Sequence, residues 1–143
     1  MAVAIWLIPC RERCCSEMVF RKSLTLSPPR KRATPPVGST ALAGVTRDSV
    51  LTLLRGELGM RVSERAITID EVAEAHARGQ LLEIFGTGTG AVISPVGKLG
   101  LRDRTLTVGD GSAGELSLRL FSELQGIQRG SRPDRHNWLR YLG

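Results

Sequence analysis

Apolar side chains at Val50, Leu51, Leu53, Leu54 and Leu58 recur at helical spacing, which predicts a helix over roughly 47–58. Thr46 stands where an N-cap belongs, Asp48 in the first turn complements the helix dipole, and Gly59 is placed to stop the helix. The pattern then changes period. Arg61-Val62-Ser63-Glu64-Arg65-Ala66-Ile67 alternates in twos and predicts a strand with one wet face. Thr68 and Glu71 form a capping box that opens a second helix reaching about Arg78, which Gly79 ends, with Val72 and Ala75 facing inward. Leu81 to Phe85 predicts a short strand, Ala91 to Val96 another, and Gly97 to Val108 a hairpin with Asp103-Arg104 at its charged tip. After the loop Gly109-Asp110-Gly111, Ser112 can cap a last helix whose apolar stripe is Leu116, Leu120, Phe121 and Leu124. The tail from Gly130 to Gly143 is polar and arginine-rich, and its Trp138 and Tyr141 are expected to dock onto the body. No internal repeat interrupts this order.

The front of the chain follows no such pattern. Residues 1–33 have mixed composition and no sustained period, and the run Ser27 to Pro36 (SPPRKRATPP) breaks any helix. The expected division is a foreign or disordered basic segment over 1–33 and a folded unit over 34–143. Met1 to Pro9 is apolar, but it has no basic flank before it and is far too short to span a bilayer. The formal net charge of +6 is concentrated here, because residues 1–34 hold seven basic and two acidic side chains, and the remainder is close to neutral. A basic patch for nucleic acid therefore does not continue into the body. All three cysteines, Cys10, Cys14 and Cys15, lie in this segment, which argues against a disulfide scaffold and against a zinc site. At 143 residues, 41% hydrophobic and 24% charged, the chain has the composition of one soluble domain.

Two places carry candidate chemistry. In Phe85-Gly86-Thr87-Gly88-Thr89-Gly90, glycine and threonine alternate between two apolar runs. Glycine lets a backbone approach a ligand closely, and each threonine sets a hydroxyl beside its own N–H, so such a bend can direct several donors at an anion. A plain hairpin uses the same residues. The helix start at Val45-Thr46 follows the small-residue loop Gly38 to Gly44, and its unbonded N–H groups can hold an anion or only water. His76 has no second ligand at metal spacing and reads as a solvated or capping histidine. Together the two anion sites could close around one phosphate.

Six motifs in order carry a family resemblance: Thr34-Pro35-Pro36; Leu42-Ala43-Gly44-Val45-Thr46-Arg47-Asp48-Ser49; Glu64-Arg65-x-Ile67-Thr68-Ile69; Phe85-Gly86-Thr87-Gly88-Thr89; Ser94-Pro95-Val96; and Gly126-Ile127-Gln128. Over roughly residues 34–138 the chain resembles the C-terminal part of the large domain of a branched-chain amino-acid aminotransferase, a pyridoxal-phosphate enzyme of fold type IV. The resemblance implies an α/β (α+β) fold with a mixed sheet flanked by about three helices. It implies pyridoxal 5'-phosphate as cofactor, with its phosphate on the N–H groups of Val45 and Thr46 and on Thr89, and with Leu42 against the pyridine ring. Thr89 and Gly90 would receive the substrate carboxylate, and Thr87 would shape their bend. The implied reaction moves an amino group between leucine, isoleucine or valine and 2-oxoglutarate, in a cytoplasmic homodimer.

The sequence also departs from the family. The Schiff-base lysine and the glutamate that pairs with the pyridine nitrogen lie upstream of the Thr-Pro-Pro motif in the family, where this chain has residues 1–33. Its only lysines are Lys22, Lys31 and Lys98, so no catalytic residue is assigned, and an open reading frame without its front end is expected to be inactive alone. Ala43 replaces the family's proline, Gly90 its alanine and Arg129 its tyrosine, while Ala91 and Ser94 stand where some members carry a cysteine pair. Two other readings stay open: a non-catalytic fragment pairing with a full-length homologue, and a basic-tailed nucleic-acid-binding protein.

Overall fold

The computed structural model describes residues 44–64, 67–88, 90–101 and 104–142 in full, and residues 2–7 and 17–21 as backbone. Strands β1 (Ala2–Leu7) and β2 (Glu17–Arg21) come first, then helix α1 (Val45–Thr52), which widens into a π-helical turn (Leu53–Glu57). Strand β3 (Arg61–Glu64), helix α2 (Ile69–Ala77), strand β4 (Leu81–Gly88) and strand β5 (Val92–Pro95) follow. The hairpin of β6 (Lys98–Leu101) and β7 (Arg104–Thr107) precedes helix α3 (Glu115–Gln128).

Five strands form one mixed sheet in the order β3-β2-β1-β4-β5, with β2 and β3 parallel and every other neighbour antiparallel. Sequence patterning set residues 1–33 apart from the fold, yet the backbones of β1 and β2 pair inside this sheet, Ile5 opposite Ile84 and Met18 opposite Val62. The Ser27–Pro36 run and the three cysteines lie outside the described residues.

Strand β4 is covered on both faces. Phe85 joins Val50, Leu51, Leu53 and Leu54 of α1 and its π turn, Ile93 of β5, and Leu116, Leu120 and Leu124 of α3 in one apolar cluster. Ile84 joins Leu81, Val72 and Ala75 of α2, and Val108 in a second. That two-sided burial explains why β4 reads as a near-continuous apolar run rather than an alternation.

The punctuation at helix ends follows the sequence in part. Gly59 and Gly79 both take positive φ, +60° and +67°, directly after their helices. Thr68 Oγ1 accepts from the Glu71 N–H at 3.2 Å, and the Glu71 carboxylate accepts from the Thr68 N–H at 2.9 Å, completing the expected box. The cap of α1 is Gly44 rather than Thr46, so the helix opens two residues earlier and Thr46 lies inside it. Gly114, not Ser112, precedes α3; the Ser112 N–H instead donates to Asp110 at 2.8 Å, closing a local turn. Strand β4 also runs further than expected, taking in Gly86, Thr87 and Gly88 because all three pair with β5. On α3 the buried stripe is Leu116, Leu120, Leu124 and Ile127, with Phe121 at its rim. Asp103 is outside the described residues, and Arg104 opens β7 instead of capping a tip.

Candidate cofactor-phosphate site

Helix α1 begins without a side-chain cap. Gly44 is extended (φ −72°, ψ 113°), and the first intrahelical bond runs from the Asp48 N–H to the Gly44 carbonyl at 3.0 Å. The N–H groups of Val45 and Thr46 therefore precede the helical ladder and have no partner within it. Val45 is 81% exposed and Thr46 half-buried. Two or three amide dipoles at such a start carry partial positive charge without any titratable group. The other end of the helix is firmly seated, with Val50 and Leu54 fully buried over Phe85.

The glycine–threonine bend joins β4 to β5. Gly88 pairs with Val92, leaving three residues between them, and Gly90 is exposed in that turn. Val92 follows it with φ +56°, a left-handed conformation that a β-branched residue adopts at a cost of about 1–2 kcal/mol. Thr87, two residues before Thr89, is buried. Of the sequence-assigned residues, Val45 and Thr46 are thus placed on a helix start and Gly90 in the turn between β4 and β5. Leu42 and Thr89 lie outside the described residues.

Sequence patterning missed two charged features beside this region. Glu83 is buried in β4, and its carboxylate accepts from the N–H groups of Leu116 and Ser117, both at 3.0 Å, so a strand residue caps α3 from 33 positions away. Glu64, at the end of β3, takes Arg47 of α1 on one carboxylate oxygen and Arg55 of the π turn on the other, the latter at 2.9 Å. The Arg55 hydrogen bond, followed by that of Arg47, holds the Glu64 carboxyl below the usual carboxylate range. Only its place in the Glu64-Arg65 motif marked Glu64 beforehand.

Lys98 is exposed on β6, while Lys22 and Lys31 lie outside the described residues. Among the described residues no cluster of His, Cys, Asp and Glu could hold a metal ion, and no helix is long and apolar enough to cross a membrane.

Residues 29–99 match the family described as amino-transferase class IV. The chain is 49% identical over 105 residues to branched-chain-amino-acid aminotransferase 2 of Bacillus subtilis, covering 73% of this chain and 29% of that one. It is 41% identical over 108 residues to a probable branched-chain-amino-acid aminotransferase of Staphylococcus aureus, covering 76% and 30% respectively. The chain thus spans under a third of the length of these relatives. Among solved structures, the branched-chain amino acid aminotransferase of Thermobaculum terrenum in its PLP form superposes with a TM-score of 0.64 at 23% identity, over 99% of this chain and 36% of that one. At that identity the likeness speaks for the fold, which is mixed α/β with three described helices, as the resemblance implied. The chain belongs to the class IV aminotransferases, as a portion corresponding to part of a branched-chain amino-acid aminotransferase.

Proposed function

We propose that this chain forms the phosphate-gripping part of a branched-chain amino-acid aminotransferase. Its parent reaction transfers an amino group between leucine, isoleucine or valine and 2-oxoglutarate, in a cytoplasmic homodimer. The observation that carries the reading is the uncapped start of α1 at Gly44-Val45-Thr46, inside a stretch nearly half identical to such an enzyme. A helix start without its own cap leaves amide donors for a ligand, and a phosphate is the group they suit best.

The chemistry pyridoxal phosphate supplies when bound is an aldehyde conjugated to an electron-withdrawing ring. The residues of this chain would do the holding. The N–H groups of Val45 and Thr46 and the donors of Thr89 would take the phosphate oxygens, Leu42 would lie against the ring, and Thr89 with Gly90 would receive the substrate carboxylate. Moving the α-proton needs a base beside the reacting carbon, normally the same lysine that tethers the aldehyde. Lys98 is exposed on a hairpin strand, and neither Lys22 nor Lys31 lies within the family motifs. The 143-residue chain by itself therefore binds without turning over.

Two measurements test this. Pyridoxal phosphate is expected to bind in competition with inorganic phosphate, followed by the phosphorus resonance of the ligand. Leucine and 2-oxoglutarate are expected to yield no glutamate beyond the cofactor-only control. Binding indifferent to inorganic phosphate defeats the phosphate-site assignment, and sustained glutamate production defeats the inactivity.

A further inference from the structure

Glu64 is the one described carboxylate that gathers two arginines from the same helical segment. Arg47 lies in the first turn of α1 and Arg55 in the π turn, eight residues later. In an unbroken α-helix residues eight apart are about 80° out of line around the axis. Each residue of the wider π turn advances less around the axis, which takes back part of that offset and lets both guanidinium groups reach one carboxylate. Arg55 also donates to the Val62 carbonyl at 3.4 Å, so the brace touches β3 at two points. Strand β3 is in turn hydrogen-bonded to β2, with Phe20 opposite Glu64.

A cation in the first turn of a helix opposes the helix dipole. Arg47 would loosen the start of α1 unless its charge were countered, and its side chain is 17% exposed against 49% for Arg55. Glu64 both counters that charge and ties it to the sheet. Since Gly44 gives no side-chain cap, the direction of the Val45 and Thr46 N–H groups is set by this brace together with the buried face of the helix.

We propose that Glu64 is a positioning residue for the phosphate grip: through Arg47 and Arg55 it fixes the uncapped start of α1 so that its amides converge on one anion. The inference rests on the cofactor reading above. Donor directions matter because a binding constellation tolerates only about 10–20° of misalignment.

Pyridoxamine phosphate and pyridoxamine are the probes, since neither carries an aldehyde that could react with Lys22, Lys31 or Lys98. Affinities of the full 143-residue chain for both are measured by calorimetry, with circular dichroism to follow folding. The unaltered chain is expected to prefer the phosphorylated probe. Glu64→Gln should lower that affinity about tenfold, the scale of losing an outer-shell support, and leave pyridoxamine binding unchanged. Electrostatics alone predicts the opposite sign, because the substitution removes a negative charge near a dianion, so a gain in affinity overturns the proposal. Arg47→Lys keeps the charge and gives up the planar guanidinium that meets Glu64; it should also weaken pyridoxamine phosphate, and unchanged affinity overturns the proposal. If Glu64→Gln does not fold, Arg47→Lys alone decides. A native chain that binds both probes equally defeats the cofactor reading itself, whereas a native preference that survives both substitutions defeats only the role of Glu64.

Discussion

Two consecutive residues of β5 show how differently a side chain and its backbone can weigh. Val92 sits half-buried with φ +56°, and Ile93 beside it is only 4% exposed in the main apolar cluster. Replacing Val92 by glycine relieves about 1–2 kcal/mol of left-handed strain while losing a partly buried side chain and adding unfolded-state freedom, together about the same amount. Val92→Gly should therefore change stability by less than about 1 kcal/mol, whereas Ile93→Ala should cost about 3 kcal/mol; urea unfolding of both variants gives the comparison. Glu83 belongs to a third kind of position, a carboxylate whose value lies in what it accepts. A glutamine there keeps one acceptor oxygen but turns an NH₂ group toward the second buried N–H of α3, so Glu83→Gln should destabilise by about 2 kcal/mol. Gly114 shows the same contact from the other side, because a Cβ at that position would fall on the Glu83 carboxylate. Gly114→Ala should lower the unfolding midpoint comparably, through overpacking.

At the scale of elements, the two ends of α2 were legible because their determinants are neighbours in sequence. The Thr68–Glu71 box spans four residues, and Gly79 follows the helix immediately. Thr68→Ala should cost about 1 kcal/mol in thermal or urea unfolding, as the loss of a capping side chain does elsewhere. The start of α1 was misread for a related reason. A threonine before an apolar run is the commoner cap, and Gly44 shows nothing in sequence to mark it as the residue at which the helix turns. Ser112 misled in the same way, its side chain being drawn into a turn with Asp110 while α3 is capped from β4. The place of β1 and β2 was hidden altogether, since the pairing of β1 with β4 some eighty residues away, and of β2 with β3 about forty residues away, leaves no local period behind. The Glu64 brace is also distant in sequence, and it has a pH signature. Its carboxyl is held below its ordinary value in the folded chain, chiefly by the Arg55 hydrogen bond, so the unfolded state binds the proton more readily. The stabilisation is accordingly complete above the ordinary carboxylate range near 4.5 and lost as pH falls through the lower folded value. Glu64→Gln should flatten that acid limb and leave the neutral-to-alkaline profile parallel to the native one, as read by unfolding midpoints between about pH 3 and 8.

Across the whole molecule, the C-terminal tail closes the helical layer, and only one of its two aromatic residues does so. Trp138 packs against the main cluster, while Tyr141 is 87% exposed and does not dock as its aromatic character suggested. The difference lies in the residues before Trp138. Asp134 accepts from the N–H groups of His136 and Leu139, at 3.2 and 2.7 Å, which curls the chain back. Asn137 takes φ +56°, a conformation asparagine tolerates better than most residues. His136 then stacks on Trp138, with ring centroids 4.6 Å apart, and its Nε2 lies 3.1 Å from Glu57 of the π turn. No such turn follows Trp138, so Tyr141 and Leu142 run out into solvent. The tail thereby reaches the same π turn that Arg55 joins to β3. Trp138→Ala should free the segment after α3: trypsin should cut at Arg135 much faster than in the native chain, with the sites within α3 still protected, and stability should fall by about 3 kcal/mol. Tyr141→Ala should leave both the cleavage rate and the midpoint where they were. Equal cleavage of the native and Trp138→Ala chains at Arg135 would mean that the tail is held by Arg132, which packs over Gly126 and pairs with Glu123, and not by the indole ring.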